Sequence, residues 1–436
     1  MKALLIGGGG REHALALSII KSGAELITIS PNKNPGLARV SKKFYIFQDH
    51  DTDFIRGVAT RYKPDCIFIG PETPLASGVS DVLISDGFRV FAPSSKAAKL
   101  ETSKAFLRIL MKEKGIEGGV DSASFTDLDK ARKYVDAIDY DFVIKPDGLT
   151  GGKGVMVQGT HFNSREEGIA VIGKYLGSNY SKILIERKVE GEEFSLQALV
   201  FNDTIHFFPI VQDYKRAYEG DSGPNTGGMG SISFSTRGLP FIPPSHITAA
   251  QTILRKIVLA LAEDGINYTG PIYGQFMSTS EGPKVIEINA RMGDPEGINV
   301  LSLLNDSIMD VAISIFNRGS VRLSFRDSVS ILRYLVPIGY GQDPNPSKIL
   351  VNEELLISRG LRFFYASVNS RGKYLIQTKS RSLAILSEDN NLEGALTKFQ
   401  GLEDAIRGDY YMRKDIGNAD SITRKRTFMQ RLAGPF

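Results

Sequence analysis

Glu287, Asn289 and Arg291 recur at every second position in the stretch VIEINARMGDPE (285–296). In a strand, side chains at that spacing leave the same face, each about 7 Å from the next. A carboxylate and an amide oxygen are hard donors of the kind magnesium accepts, and a guanidinium suits a phosphate or acyl phosphate. Ile286, Ile288, Ala290 and Met292 fall on the opposite face. A solvated antiparallel strand would alternate in the same way, so the other motifs must decide.

Gly7, Gly8, Gly9, Gly10, Arg11, Glu12 and His13 follow an apolar run and open a helical pattern. Glycines let backbone N–H groups approach an anion, and a helix N-terminus adds its dipole. A dinucleotide fingerprint fails here. Counting from Gly7, its third glycine position holds Glu12, and the second strand ends in Ser30 where an acidic residue is needed for a ribose. A phosphate on a small sugar fits better than a nicotinamide cofactor. His13 reads as structural. Gly70, Pro71 and Glu72 close another strand and suit a hydroxyl or amine contact.

Lys145 ends one strand and Val155 begins the next, with Gly148, Gly151, Gly152, Lys153 and Gly154 between them. No Gly-Lys-Ser/Thr is present and a strand follows, which excludes a Walker A loop. The segment reads as a hairpin loop able to fold over a polyphosphate, with Lys145 and Lys153 as cations. Glu186 ends an apolar run, and the connector carrying Val189 leads to Glu193. Such a connector offers adenine a backbone donor and acceptor, with a carboxylate near the ribose. Asp213, Tyr214, Lys215 and Arg216, then DSGPNTGGMG (221–230), read as a long irregular polar loop, and such loops tend to be functional. Pairing Met277 with Val285 sets Gln275 opposite Glu287, as a third oxygen beside Asn289.

These groups need a scaffold. At 436 residues the chain exceeds one ordinary core, so two to four domains are expected. A net charge of +4 is too slight to argue for nucleic acid, while a mild positive bias suits anionic small substrates. The single cysteine, Cys66, cannot form an internal disulfide and reads as a buried strand residue. No apolar run reaches the ~18 residues of a membrane helix, and the opening MKALLIG reads as a strand entering a turn, which makes a cytoplasmic enzyme the expectation. Residues 3–6, 26–30, 66–69 and 89–91 read as strands separated by helical patterns, the βαβ rhythm of a parallel doubly wound sheet. A long helix is expected over about 245–264 and a hairpin over 272–289, with a third unit beyond about 325.

In this order the motifs resemble the ATP-grasp superfamily, and within it the glycinamide ribonucleotide synthetases. The resemblance spans essentially the whole chain: GGREHA (9–14), GPETPL (70–75), LETSKAF (100–106), VIKPDGLTGGKGV (143–155), EGEEFS (190–195), DSGPNTGGMG (221–230), VIEINARMGDPE (285–296) and RKDIG (413–417). GPNTGGMG together with GDPE is the most specific pair. The resemblance implies an α/β ATP-grasp enzyme: an N-terminal Rossmann-like substrate domain (1–102), a two-part ATP-grasp core (103–325) with a lid subdomain at about 122–190, and a C-terminal α+β domain (326–436). The implied reaction joins glycine to 5-phosphoribosylamine with ATP, through glycyl phosphate, in purine synthesis. Another ATP-grasp carboxylate–amine ligase or carboxylase is the alternative. Small molecules are the expected partners, without nucleic acid or membrane, and the oligomeric state stays open between monomer and dimer.

Carried onto this chain, the resemblance gives Lys104 and Lys145 the nucleotide phosphates, and Gly151, Gly152, Lys153 and Gly154 the closing loop. Glu186 and Val189 would hold adenine and Glu193 the ribose. Gln275, Glu287 and Asn289 would bind Mg2+ or Mn2+, as one or two ions. Gly9, Gly10, Arg11, Glu12, Gly70, Pro71 and Glu72 would face phosphoribosylamine. Asp213, Lys215, Pro224, Asn225, Thr226, Arg291 and Asp294 would surround glycine and the reacting phosphate, with Arg291, Lys145, Asp213 and Lys215 in catalysis. The chain departs from the commoner pattern at Gly8 (usually Asn or Ser), Arg187 (a second Glu) and Gln275 (apolar). Gln275 would favour a second metal ion.

Overall fold

A computed structural model of the chain describes residues 1–149, 154–178 and 180–436. The expectations placed on Gly151, Gly152 and Lys153 lie outside the described residues. β1 (Lys2–Ile6), β2 (Glu25–Ser30), β3 (Lys43–Ile46), β4 (Cys66–Ile69) and β5 (Val90–Phe91) form a parallel sheet in the order β3-β2-β1-β4-β5. β3 was not anticipated. It is an edge strand with no fully buried side chain, so no apolar run announces it. The winding reverses between β1 and β4, which brings the loops after those strands together at the carboxyl end of the sheet, where such folds bind ligands. Glu12 reaches back to the Gly9 N–H at 2.7 Å and so caps the helix Gly10–Ile20. Gly70 is required by proximity, since a Cβ there would lie 2.0 Å from a Glu12 oxygen.

β6 (Ser122–Phe125), β7 (Phe142–Pro146), β8 (Met156–Val157) and β9 (Ile183–Arg187) make an antiparallel sheet ordered β6-β9-β7-β8. Asp127 and Ser164 cap the helices Leu128–Ala137 and Arg165–Leu176. These helices bury Ala131, Val135, Ile169 and Ile172 against Phe142, Ile144 and Ile185, in a core of their own.

Beyond this sheet run β10 (Glu192–Phe201), β11 (Thr204–Phe207), β12 (Gln212–Asp213), β13 (Arg216–Tyr218), β14 (Ser222–Asn225) and β15 (Gly230–Ser233). The polar stretch expected to be irregular is therefore paired: β13 with β14, and β12 with β15. Its order comes from far along the chain. The fully buried Arg413 donates to the Arg216 carbonyl and pairs with Asp221 at 2.9 Å and Asp415 at 2.6 Å.

The helix Pro244–Glu263 leads to the hairpin β16 (Thr269–Thr279) and β17 (Gly282–Asn289), completing the sheet β11-β10-β16-β17. Gln275 does lie opposite Glu287, but Met277 pairs with Lys284 rather than Val285. A β-bulge accounts for the difference, with Ile286 as the extra residue. Val285 and Ile288 enter the core, while Ile286 and Glu287 both stay half-buried, so the simple alternation expected at Ile286 does not hold. Released from the ladder, the Ile286 carbonyl accepts from Arg108 at 3.0 Å and from Lys145 at 3.3 Å.

The remaining strands are β18 (Val329–Leu335), β19 (Lys348–Val351), β20 (Leu361–Tyr365), β21 (Val368–Arg371), β22 (Tyr374–Gln377), β23 (Leu383–Asp389) and β24 (Ile406–Arg407). β18, β23 and β20 extend the β12-β15 pair into a five-stranded sheet, so strands from both sides of residue 325 share it. Among the described residues no helix is long and apolar enough to cross a membrane.

His13 joins the first and last parts of the chain. Its Nδ1 accepts the Tyr365 N–H at 2.9 Å, and its ring stacks on Tyr365. Burial, and then Arg39, lower its pKa from 6.5 to about 3. Between those values the unfolded chain binds more protons, so this contribution to stability is full above 6.5 and is lost as pH falls toward 3. His13→Gln, which keeps an acceptor, should therefore show a shallower loss of stability between pH 7 and pH 4.5 than wild type in urea unfolding. Equal slopes in the two proteins would contradict this.

Candidate active site

One wall of the candidate site is built from two buried cations and one carboxylate. Lys145, at the end of β7, lies 2.6 Å from Glu186 of β9, and Arg108 donates to the other Glu186 oxygen at 2.7 Å. Burial pushes Glu186 upward, but Arg108 and Lys145 overturn that and hold it at about 2. Arg108 was missed in the sequence. It sits one turn beyond Lys104 on the buried face of the helix Lys104–Glu113, and that periodicity was the available signal. Ser103 caps this helix, and the Lys104 ammonium donates to the Gly148 carbonyl at 2.7 Å and to Pro146 at 3.3 Å. Burial lowers the Lys104 pKa. Gly154 is buried and its carbonyl accepts from the Tyr175 hydroxyl at 3.2 Å. Val189 is half-buried on the connector between β9 and β10.

The floor carries an excess of carboxylates. The Asn289 amide donates to Glu287 at 3.4 Å, on the same face of β17. Opposite them, the Gln275 amide nitrogen donates to Glu193 at 2.8 Å while its oxygen accepts from the Tyr273 hydroxyl. That hydroxyl also meets Glu296 at 2.7 Å. Gln275 thus faces Glu287 across the hairpin but spends its amide on Glu193 and Tyr273. Lys215 lies 2.6 Å from Glu193 and 3.9 Å from Asp213. Among the described residues it is the sole cation within 4 Å of the set Glu193, Asp213, Glu287 and Glu296. Burial pushes Asp213 well up against the pull of Lys215, and raises Glu296 as well. Among the described residues, one Asp213 oxygen is buried without a hydrogen-bond partner.

The far side joins the N-terminal turns to the end of β17. Arg291 Nε lies 3.2 Å from Glu72, its Nη2 lies 3.2 Å from Glu101, and its Nη1 donates to the Met292 carbonyl at 3.0 Å. Arg291 holds the Glu72 carboxyl down at about 2 against burial. Arg11 donates to Glu12 at 2.6 Å and to the Met292 carbonyl at 2.9 Å, which ties the turn of Gly9 and Gly10 to the same strand end, with Pro71 of the loop after β4 packed close to Gly7. Asp294 accepts from the Tyr334 hydroxyl at 2.6 Å and lies 3.3 Å from Arg381, which also donates to the Gly227 carbonyl. Tyr334 and Arg381 arrive from the last third of the chain, and no motif announced them. Thr226 is buried and donates to the Lys215 carbonyl at 2.8 Å, with Pro224 and Asn225 half-buried beside it.

Two family models match: the phosphoribosylglycinamide synthetase N domain over residues 1–101 and its ATP-grasp (A) domain over 102–297. The phosphoribosylamine–glycine ligase of Pyrococcus abyssi is 40% identical over 438 residues, covering 100% of this chain and 99% of the relative. That of Pyrococcus furiosus is 39% identical over 437 residues, with the same coverage of both. The chain belongs to the phosphoribosylglycinamide synthetase family. The crystal structure of the Thermotoga maritima phosphoribosylamine–glycine ligase superposes with a TM-score of 0.80 at 26% identity, covering 95% of this chain and all of that one. The α/β ATP-grasp architecture expected from the sequence is the one observed.

Within this synthetase-family frame, the buried Arg108–Glu186–Lys145 group is open to direct measurement. Removing one partner leaves two buried cations facing each other, so Glu186→Ala should cost about 3–5 kcal/mol of stability in denaturant unfolding. A loss below about 1 kcal/mol would show the group to be hydrated and weakly coupled.

Proposed function

We propose that this chain joins glycine to 5-phosphoribosylamine at the expense of ATP, giving glycinamide ribonucleotide, ADP and phosphate, as a C–N ligase of purine synthesis. The observation that carries the reading is the end of β17, where Lys145 donates to the Ile286 carbonyl beside Glu287, Asn289 meets Glu287 on the same face, and Arg291 pairs with Glu72 of the N-terminal domain.

A divalent ion, Mg2+ or Mn2+, fits the donors present. Glu287 and Asn289 offer a carboxylate and an amide oxygen, in a pocket whose carboxylates outnumber their nearby cations. Gln275 would add a third oxygen by releasing Tyr273. When bound, such an ion supplies charge neutralisation and orientation to the triphosphate.

The chain's own groups do the rest. Lys104 and Lys145 neutralise the phosphates, with adenine at Glu186 and Val189 and the ribose at Glu193. Asp213 Oδ1, which accepts no hydrogen bond among the described residues and lies 3.9 Å from Lys215, would accept the glycine ammonium, with Pro224, Asn225 and Thr226 around it. A glycine carboxylate oxygen attacks the γ-phosphorus, the bond to the β-phosphate oxygen breaks, and ADP leaves. Arg291 stabilises the charge on the transferring phosphoryl group. With Asp294 beside the glycyl group, the phosphosugar amine, held by the turns at Gly9, Gly10, Arg11, Glu12, Gly70, Pro71 and Glu72, attacks the acyl carbon. The carbon–oxygen bond to phosphate breaks, the amine loses a proton and phosphate departs. No protein nucleophile is needed. Positioning and fixed charge supply the catalysis.

Phosphate release from ATP should require both glycine and phosphoribosylamine and be indifferent to bicarbonate or NAD. Release driven by bicarbonate would point to a carboxylase instead. Arg291→Ala should lower kcat about 10²–10³-fold while nucleotide affinity, read by equilibrium titration, stays near wild type. A loss below about threefold would remove Arg291 from the phosphoryl step.

A further inference from the structure

Glu101 is a buried carboxylate that the mechanism above leaves without a task. It lies in the short helix Lys99–Thr102, where the N-terminal domain hands over to the ATP-grasp core. One oxygen accepts the Ala290 N–H at 2.8 Å, and the other lies 3.2 Å from Arg291 Nη2. Both oxygens therefore face donors, and an ionised carboxylate satisfies both, although burial acts to raise its pKa.

A single carboxylate thus grips two consecutive residues of the strand end, the main chain of one and the side chain of the next. Glu72 holds the other edge of the same guanidinium but, among the described residues, accepts no main-chain hydrogen bond from the segment just past β17. The two differ in access. The Glu72 side chain is 34% exposed at the cleft and that of Glu101 is 6% exposed beneath it. Glu72 is free to meet a ligand, whereas Glu101 meets only the strand.

We propose that Glu101 is a positioning residue for Arg291. It sets the guanidinium relative to Glu287 and Asn289 by clamping the strand end that carries all three. This rests on the reading that Arg291 serves the phosphoryl step.

A kinetic double-mutant cycle tests it, using Glu101→Gln, Arg291→Lys and the double variant in the full chain. E101Q keeps one acceptor oxygen for two donors, so either the Ala290 N–H or the guanidinium then faces an NH2, and kcat should fall about 10- to 100-fold, the scale of a misplaced catalytic group. The KM for ATP should stay within about twofold, since Lys104, Lys145 and Arg108 are untouched. In the R291K background, where the bidentate group is already lost, the same change should cost less than about threefold further. An undiminished loss in both backgrounds would mean a role independent of Arg291 and would overturn the proposal. So would unchanged kcat in E101Q beside an impaired R291K. A fully active R291K would sink the reading of Arg291 itself, and the proposal with it. Should E101Q fail to fold, Glu101→Asp withdraws the carboxylate by about one methylene and enters the same cycle with the same outcomes.

Discussion

Charge taken out of water must be paired or neutralised, and that constraint organises this molecule around β17. On one side of the strand the requirement is met internally, because Glu186 stands between Arg108 and Lys145 and stays ionised. On the other it is not. Glu193, Asp213, Glu287 and Glu296 gather around Lys215, and the folded chain keeps Asp213 and Glu296 under pressure to hold protons. A closed wall and an open floor make a site whose charge is paired internally on one side and short of positive partners on the other.

The bulge at Ile286 reconciles two demands on the same strand. β17 must bury Val285 and Ile288 to hold the core sheet, and it must also turn Glu287 and Asn289 into the cleft. One extra residue satisfies both, and its carbonyl, no longer needed by the ladder, becomes the acceptor that links Arg108 and Lys145 to the strand. Past the bulge, β17 ends against the N-terminal domain through Arg291, Glu72 and Glu101. The Arg108–Glu186–Lys145 wall, the carboxylate floor and the N-terminal turns are thereby tied to a single element.

Much of this was legible in the residues themselves. The βαβ rhythm reported the first sheet because its central strands are continuous apolar runs, and the polar alternation at 287, 289 and 291 marked the strand that matters. What escaped had physical reasons. β3 is an edge strand with nothing fully buried, and the bulge is a local slip that period-two reasoning cannot register. The order in the stretch 213–230 is imposed by Arg413, and the environment of Asp294 by Tyr334 and Arg381, all of them distant in the chain. Spacing within a motif reports neighbours along a strand or helix and is silent about a partner that arrives by tertiary packing.

The negative floor is short of positive charge, and the proposed ligation fills that gap with a divalent ion shared between protein and nucleotide. Crystals grown with Mn2+ and a non-hydrolysable ATP analogue, with data collected at the manganese edge, address it most directly. The account predicts an anomalous peak within coordination distance of both Glu287 and Asn289, roughly 2.0–2.4 Å from their oxygens, bridging to the analogue's phosphates. Well-ordered nucleotide density with no such peak at those two side chains would contradict it.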